Sequence, residues 1–497
     1  MKYQIIILAG HGPEQLTFER FAGPHRIATE LRDNGYSVKV IYGINYYNDK
    51  ELIQILEQYV DQNTLCLGLS STFLMTFTDK QKKNMLYTSD ALVNEDLVSN
   101  IFIDNFEKIS KHFKSIFSNL KIAIGGHRAT TKIPNCNYVD AFFEGYSDKT
   151  FLDYINNLKE NKKFLGQQKF IDIYGTNFDF RNSSIKYTKE DNIFKNEALV
   201  LELTRGCIFK CKFCAFPLLG RKATDNGYIK CEENIYAELM ENYNNYGTTN
   251  YIFSDDTYND SVEKIYGLYK IFEKLPFKIN FTTYLRLDLI YRYPEMAQIL
   301  LESGLRGALF GLETFNETAR KKIGKGLSND KLLQTIETVN KLWKNDVIIN
   351  DSFIYGLPEE NKETITSWTN EFLFDSKLFD NHSITIRPLW VTNWKNAYKS
   401  EFEKNLDQYN INLAENGWEW SHGTTNYSEC MDLTIEAMKR VHSTPRPSQA
   451  FLVPILLGYG FTMDEIRHVN TIEFATKVRQ ITIERYSNYK TTLLSEQ

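Results

Sequence analysis

Long apolar runs are absent from this chain of 497 residues, and so is any excess of basic charge. No stretch reaches the roughly 18 uncharged apolar residues that a membrane-spanning helix needs. The opening MKYQIIILAG has only about six consecutive apolar residues, too few for a secretory signal, and predicts a buried first strand. The net charge of -5 and the pI of 6.0 argue against sequence-independent binding of nucleic acid. We therefore expect a cytoplasmic protein without a membrane segment.

Cysteine is scarce and unevenly placed. Seven cysteines occur, an odd number, and three of them stand close together at Cys207, Cys211 and Cys214. A secreted disulfide framework distributes an even number of cysteines along a short chain, whereas a tight group is typical of a metal site in a reducing compartment. The spacing predicts that these three thiols are metal ligands.

Two kinds of metal site fit three clustered thiolates. A structural zinc ion needs four ligands, commonly from two CxxC-like pairs, and Cys231 has no second cysteine at that spacing. An iron-sulfur cluster held by three thiolates leaves one iron open to a substrate or cofactor. The cysteines alone leave both kinds open.

Residues 1–160 alternate short apolar strands with helical segments. The predicted strands are YQIIILAG, YSVKVIYG, TLCLGLSS, LKIAIGG and VDAFFEG. This order predicts a Rossmann-like, doubly wound parallel sheet, in which ligands bind beyond the carboxyl ends of the strands. The residues expected at that edge are Ser70, Ser71, Thr72, Gly125, Gly126, Glu144 and Gly145.

The later part of the chain repeats the alternation after a polar segment. Residues 161–195 have little periodicity and are predicted as a linker. Residues 196–399 contain six strands, ALVLELT, NYIFSDD, INFTTYL, GALFGLET, INDSFIYGLP and HSITIRPLW. Six βα units predict a partial (β/α)6 barrel with its functional residues at the carboxyl ends of the strands. Residues 400–497 are predicted to be mostly helical, so the fold class is α/β with a helical C-terminal region.

The cysteine motif follows the first barrel strand and resembles the signature of the radical S-adenosylmethionine (SAM) superfamily. The CxxxCxxC pattern reads Cys207-Ile-Phe-Lys-Cys211-Lys-Phe-Cys214, preceded by TRGC and with the aromatic Phe213 before the last cysteine. The resemblance implies that the three cysteines hold a 4Fe-4S cluster whose open iron binds SAM. It also implies reductive cleavage of SAM to a 5′-deoxyadenosyl radical.

The same resemblance assigns the SAM contacts to the ends of the later barrel strands. A carboxylate after the second strand would accept hydrogen bonds from the SAM ammonium group, and FSDDTYN offers Asp255 and Asp256 where the family usually has Gly-Gly-Glu. Arg286 in YLRLD would grip the SAM carboxylate with its guanidinium fork. The other expected SAM residues are Phe213, Gly311, Glu313, Ile354 and Gly356.

The N-terminal domain resembles the cobalamin-binding branch of this superfamily. PHRIATELRDNGYSV, IGGH and EGYSD approximate the motifs of that branch. The resemblance implies that cobalamin binds the ligand-edge residues of the first sheet named above. The only Asp-x-His, Asp380-Asn381-His382, lacks the glycine of a cobalamin-ligating motif, so no lower-ligand histidine is predicted. His25 and His127 are predicted to be turn or surface histidines.

The implied activity is cobalamin-dependent C-methylation of a small molecule or peptide, with flavodoxin or ferredoxin as the electron donor. A radical SAM enzyme that catalyses a cyclisation, rearrangement or oxidation without methyl transfer is the alternative. A zinc-binding protein without enzymatic activity is a third hypothesis. A methylthiotransferase is disfavoured because it would need three more cluster cysteines in the N-terminal domain, where only Cys66 and Cys136 occur.

Overall fold

The computed structural model describes most of the chain as two parallel sheets and a mostly helical C-terminal region, which confirms the predicted fold class. The described residues are 2–10, 17–44, 46–71, 101–127, 129, 136–175, 177–216, 218–221, 228–393, 398–423, 425–469 and 472–495. No helix in these ranges is both long and apolar enough to cross a membrane.

The first sheet has six strands, all parallel to their neighbours. They are β1 (Ile5–Ala9), β2 (Val38–Tyr42), β3 (Cys66–Ser70), β4 (Lys121–Gly126), β5 (Ala141–Gly145) and β6 (Gln168–Asp172). Their order is β2-β1-β3-β4-β5-β6, so the direction of strand addition reverses between β1 and β3. Such a reversal creates the crevice in which doubly wound sheets bind ligands.

Helices cover both faces of this sheet. They are α1 (Ala22–Asp33), α2 (Asp49–Leu56), α3 (Ile101–Ile116) and α4 (Asp148–Lys159). α1 packs against α4, and α2 packs against α3. β1 and β2 are buried on both sides for this reason, which explains their nearly continuous apolar sequences.

The segment predicted as a linker, residues 161–195, also contributes a strand. β6 lies at the edge of the first sheet and pairs with β5, placing Asp172 beside Gly145. Lys169 and Ile171 of this strand are exposed. An edge strand with one exposed face carries only a weak apolar pattern, which is why the sequence did not reveal it.

The second sheet forms the barrel. Its strands are β7 (Leu199–Leu201), β8 (Asn250–Phe253), β9 (Asn280–Leu285), β10 (Leu305–Glu313), β11 (Ile348–Tyr355) and β12 (Ser383–Pro388). They are parallel and lie side by side in chain order. The helices between them are α5 (Glu232–Tyr246), α6 (Val262–Glu273), α7 (Leu287–Arg292), α8 (Glu295–Glu302), α9 (Glu317–Lys322), α10 (Asn329–Trp343) and α11 (Lys362–Trp368).

The C-terminal region is mostly helical and returns to the first sheet. Its helices are α12 (Glu401–Lys404), α13 (Tyr427–His442), α14 (Val453–Gly458), α15 (Met463–Arg467) and α16 (Ile472–Ser495). Three short antiparallel strands, which were not predicted, are β13 (Asn412–Leu413), β14 (Trp420–His422) and β15 (Thr425–Asn426). Tyr486, Tyr489 and Leu493 of α16 are buried in the apolar core around the first sheet.

The prediction that His25 is a turn or surface residue is wrong. His25 lies in α1 and is fully buried, with its ring 4.7 Å from that of Tyr187. Its Nδ1 atom lies 3.5 Å from a carboxylate oxygen of Asp191. α1 packs against the segment that precedes the barrel, and this tertiary contact buries the imidazole.

Candidate active site

The cysteine motif lies on a loop that leaves β7 and folds back on itself. Gly206 has a φ of 89°, and a Cβ there would lie 2.7 Å from the Leu218 side chain, so the turn requires glycine. The Cys207 carbonyl accepts hydrogen bonds from the backbone N–H groups of Gly220 at 2.6 Å and Arg221 at 3.1 Å. These bonds fix the loop beside the carboxyl ends of the barrel strands.

The three thiols have different neighbours. Cys207 Sγ lies 3.2 Å from Thr257 Oγ1, and Arg286 Nη1 donates a hydrogen bond to Cys211 Sγ at 3.3 Å. Burial raises the pKa of Cys214 to about 12, and the other two thiols add to the shift. Among the described residues, no group of three or more His, Cys, Asp or Glu side chains is arranged to hold a metal ion. Cys207 and Cys211 thus lie close enough to Cys214 to raise its pKa. The described side chains do not complete a metal-binding geometry.

The two candidate carboxylates after β8 have different surroundings. Asp255 is fully buried and accepts a hydrogen bond from the Thr204 hydroxyl, and burial raises its pKa. Asp256 is half-buried and lines a cavity next to the first sheet. Burial raises the pKa of Asp256 to about 7, and the neighbouring Asp255 adds to the shift. Of the two, only Asp256 lines this cavity.

Arg286, at the end of β9, is held against the cysteine loop. Its Nε and Nη2 atoms donate hydrogen bonds to the Asp288 carboxylate at 3.0 and 2.8 Å. The guanidinium carbon lies 3.8 Å from the ring centre of Phe209, within stacking distance. With its third nitrogen directed at Cys211, this arginine connects the third barrel strand to the cysteine motif.

The end of β10 contains an ion pair that the sequence analysis did not identify. Lys325 Nζ donates a hydrogen bond to Glu313 Oε1 at 2.8 Å and another to the Gly311 carbonyl. The same ammonium group lies 6.0 Å from the ring centre of Phe213. Lys325 therefore brings together three residues predicted to contact SAM. No motif marks it in KKIGKGL, so the sequence offered no signal for this role.

The end of β11 is covered by the C-terminal region. Gly356 has a φ of 84°, and the side chains of Trp420 and Cys430 occupy the space that a Cβ would need. His422 Nε2 donates a hydrogen bond to the Gly356 carbonyl at 2.7 Å. Ile354 is half-buried two residues earlier on the strand. The predicted SAM residues of β11 thus lie next to the small antiparallel sheet.

A cavity of about 290 Å³ lies between the first sheet and the barrel. Glycine and other small residues predominate on the sheet side, and charged and aromatic side chains lie on the barrel side. The predicted ligand-edge residues that line it are Ser70, Gly125, Gly126 and Gly145, and the barrel adds Glu202, Arg205, Phe216 and Asp256. Tyr398 also lines it, and stacks on His127 with 4.4 Å between ring centres.

Three other residues were predicted for this ligand edge. Two of them do not line the cavity, and the third lies outside the described residues. Glu144 is buried and Ser71 is fully buried. The backbone N–H and hydroxyl of Ser71 both donate hydrogen bonds to the Gly125 carbonyl, at 2.8 and 3.1 Å. Ser71 therefore links the ends of β3 and β4, and neither it nor Glu144 is among the cavity-lining residues. Thr72 lies outside the described residues.

Comparison with known sequences identifies the barrel. Residues 201–369 match the radical SAM superfamily. An uncharacterized methyltransferase from Pyrococcus horikoshii is 23% identical over 312 residues. The alignment covers 59% of this chain and 65% of that protein, slightly less than two thirds of its length.

Solved structures share the fold of almost the whole chain. The radical S-adenosylmethionine methyltransferase TsrM from Kitasatospora setae, with cobalamin and a 4Fe-4S cluster bound, has a TM-score of 0.64 at 12% identity. That alignment covers 97% of this chain and 100% of TsrM. The cobalamin-dependent S-adenosylmethionine radical enzyme OxsB has a TM-score of 0.57 at 13% identity, over 98% of this chain and 80% of OxsB. Residues 201–369 of the chain therefore form a radical SAM domain.

Proposed function

We propose that this chain is a cobalamin-dependent radical SAM methyltransferase that acts on a carbon atom of a small molecule or peptide. The observation that carries the proposal is the cavity in which the glycine-rich strand ends of the first sheet face Asp256 and Phe216 of the barrel. TsrM and OxsB, which share the fold, are described as binding cobalamin or depending on it, and TsrM is a methyltransferase. The relative from Pyrococcus horikoshii is also named a methyltransferase.

Cys207, Cys211 and Cys214 would hold the 4Fe-4S cluster. The donor set fits because three thiols lie on one loop and thiolates are the ligands that iron-sulfur clusters take. When bound, the cluster supplies the electron that cleaves SAM to the 5′-deoxyadenosyl radical. The loop residues must release their thiol protons to bind it, and the Arg286 guanidinium beside Cys211 favours the thiolate.

The ends of β8, β9 and β10 would hold SAM. Asp256 offers a carboxylate to the ammonium group, and Arg286 offers a guanidinium to the carboxylate. Glu313 is kept in place by Lys325. Asp255 accepts a hydrogen bond from the Thr204 hydroxyl and so links the end of β8 to the segment after β7. The remaining wall of the SAM site is assigned to Phe213, Gly311, Ile354 and Gly356.

The N-terminal domain, residues 1–160, would hold cobalamin. The cavity fits a broad ring because its sheet side lacks bulky side chains at Ser70, Gly125, Gly126 and Gly145. A Cβ at Gly145 would overlap with the Tyr398 hydroxyl and the Asp172 carbonyl, so the strand end cannot carry a side chain. When bound, cobalamin supplies a carrier for the methyl group. Phe216 and Tyr398 would shield it from water.

A one-electron protein donor, flavodoxin or ferredoxin, is assigned to this enzyme because the radical reaction consumes an electron. The three clustered thiols suit the reducing conditions of the cytoplasm, which we propose as its compartment.

The proposal is tested on the full chain after anaerobic reconstitution with iron and sulfide. We expect about four iron atoms and four sulfides for each chain, and 5′-deoxyadenosine after addition of SAM and dithionite. Titration with hydroxocobalamin should give saturable binding, and S-adenosylhomocysteine should form when cobalamin is reduced. SAM cleavage without cobalamin uptake would instead support a cyclisation, rearrangement or oxidation. Protein that holds zinc but no iron or sulfide would overturn both.

A further inference from the structure

Arg205 joins the barrel to the N-terminal domain two residues before the first cluster cysteine. Its Nη1 and Nη2 atoms donate hydrogen bonds to the two carboxylate oxygens of Asp148, at 2.9 and 3.0 Å. Asp148 is the first residue of α4 and ends the EGYSD turn after β5. The same guanidinium donates from Nε to Glu202 at 2.8 Å, immediately after β7. One side chain therefore contacts both proposed cofactor domains.

The surroundings of Arg205 hold its guanidinium in one orientation. The side chain of Arg205 is 5% exposed and that of Asp148 is 3% exposed. The rings of Tyr146, Phe178 and Phe180 lie around the guanidinium, with their centres 4.5, 5.1 and 4.7 Å from its central carbon. A planar cation that is stacked on rings and bonded at both edges loses its freedom to rotate.

A second arginine strengthens the same boundary. Arg26 of α1 donates from Nη2 to Glu202 at 3.0 Å, so Glu202 is bound from the N-terminal domain as well as by Arg205. Glu202, Arg205, Asp148 and Arg26 all line the cavity assigned to cobalamin. Because burial strengthens these interactions and leaves any broken partner uncompensated, the pairs define one relative position of the two domains.

We propose that Arg205 is a positioning residue that fixes the cysteine loop relative to the cobalamin-binding cavity. The inference rests on the proposed function, because methyl transfer requires both cofactor sites to face each other at a set distance. Gly206 links Arg205 to Cys207, so any shift of the guanidinium passes directly to the cluster loop. Lysine has one nitrogen instead of a planar fork and cannot bind both Asp148 oxygens and Glu202 while stacking on the rings.

The variants are Arg205→Lys and Asp148→Asn, each of which changes one side of the contact. Arg32→Lys is the matched control, because Arg32 also makes a two-point ion pair, with Asp191 at 2.8 and 2.9 Å, away from the cysteine loop. The first measurement is hydrogen exchange of residues 199–216 in the full chain without cofactors. We expect hydrogen exchange to be roughly tenfold faster in both boundary variants. In the control variant the exchange rate should equal that of the wild type. Faster exchange of residues 199–216 in Asp148→Asn would show that a change in α4 alters the cysteine loop of the barrel.

The second measurement separates positioning from stability in the reconstituted enzyme. 5′-Deoxyadenosine formation needs only the cluster and SAM, whereas S-adenosylhomocysteine formation also needs reduced cobalamin. Arg205→Lys should lower S-adenosylhomocysteine roughly tenfold relative to 5′-deoxyadenosine, because small displacements of reacting groups slow transfer strongly. Cluster content should stay at the wild-type level, and the rate of S-adenosylhomocysteine formation is expressed per bound cobalamin.

Two results would overturn the inference. One is equal exchange in Arg205→Lys and Arg32→Lys. The other is a parallel fall of both nucleoside products together with the unfolding temperature, which is the result for a residue that only stabilises the fold. A wild-type protein that binds no cobalamin would contradict the proposed function instead, and the exchange experiment would still decide whether Arg205 couples the domains.

Discussion

The carboxyl ends of the two sheets differ in chemistry. At the barrel end, charged side chains meet in pairs, Arg286 with Asp288 and Lys325 with Glu313. At the end of the first sheet, glycine and serine line the cavity together with Leu69, Phe143 and Tyr146, and its paired charges lie where the first sheet meets the barrel. Paired charges suit a small zwitterion such as SAM, whereas strand ends rich in glycine leave room for the face of a large ring. We therefore expect the two sets of strand ends to bind different types of ligand.

The largest expected effect tests the barrel side. Cys211→Ala should abolish iron and sulfide binding and SAM cleavage, because two thiolates hold a cluster poorly. Iron, sulfide and 5′-deoxyadenosine are measured after anaerobic reconstitution. Cys231→Ala is the control, since Cys231 is half-buried at the start of α5 and lies outside the motif. Equal loss of metal in both variants would favour the zinc site.

The next effect tests the sheet side. Gly145→Ala should destabilise the protein and lower cobalamin uptake, because the residue has a φ of 102° and a Cβ would overlap with Tyr398 and Asp172. Gly166→Ala is the control, since Gly166 has a φ of 67° with open space around it. We expect Gly145→Ala to cost about 2 kcal/mol more in urea unfolding than Gly166→Ala. Equal costs would mean that the strand end has room for a side chain.

Sequence patterns predicted the parts of this molecule that depend on local order. The cysteine spacing and the residues after each barrel strand were readable because parallel strands bring their carboxyl ends to one edge. The apolar strands of the first sheet were readable because both of their faces are buried. The functional roles of these residues stay predictions, but their positions at the carboxyl ends of the strands could be predicted from the order of strands and helices.

The features that sequence patterns missed depend on contacts between distant segments. Lys325 reaches Glu313 from beyond α9, and nothing in its neighbourhood in the chain marks it. His422 reaches Gly356 from 66 residues away. Burial of His25 arises where α1 meets the segment before the barrel. Such contacts are decided by packing after the sheets have formed, so periodicity and motifs do not contain them.

The contact between α1 and the segment before the barrel should also respond to acid. Burial lowers the pKa of His25 from 6.5 to about 3, while Asp191 opposes the shift. The folded state therefore binds fewer protons than the unfolded state between these values, and its stability is lost as the pH falls below 6.5. From pH 7 to pH 5 this group should cost about 2 kcal/mol. His25→Gln should reduce that loss in urea unfolding, and His468→Gln, at an exposed site, should not.

The smallest expected effect tests the ion pair between Lys325 and Glu313 at the end of β10. Lys325→Met removes the cation that binds Glu313 and the Gly311 carbonyl, so the carboxylate at the end of β10 loses its fixed position. We expect the KM for SAM in 5′-deoxyadenosine formation to rise roughly tenfold, the loss of one charged hydrogen bond, with the cluster content unchanged. Lys322→Met is the control, because Lys322 makes a more exposed ion pair with Glu359 at 3.4 Å. If both variants keep the wild-type KM, the paired charges at this strand end serve the fold alone, and the distinction between the two sheets would then depend on the glycine-lined cavity.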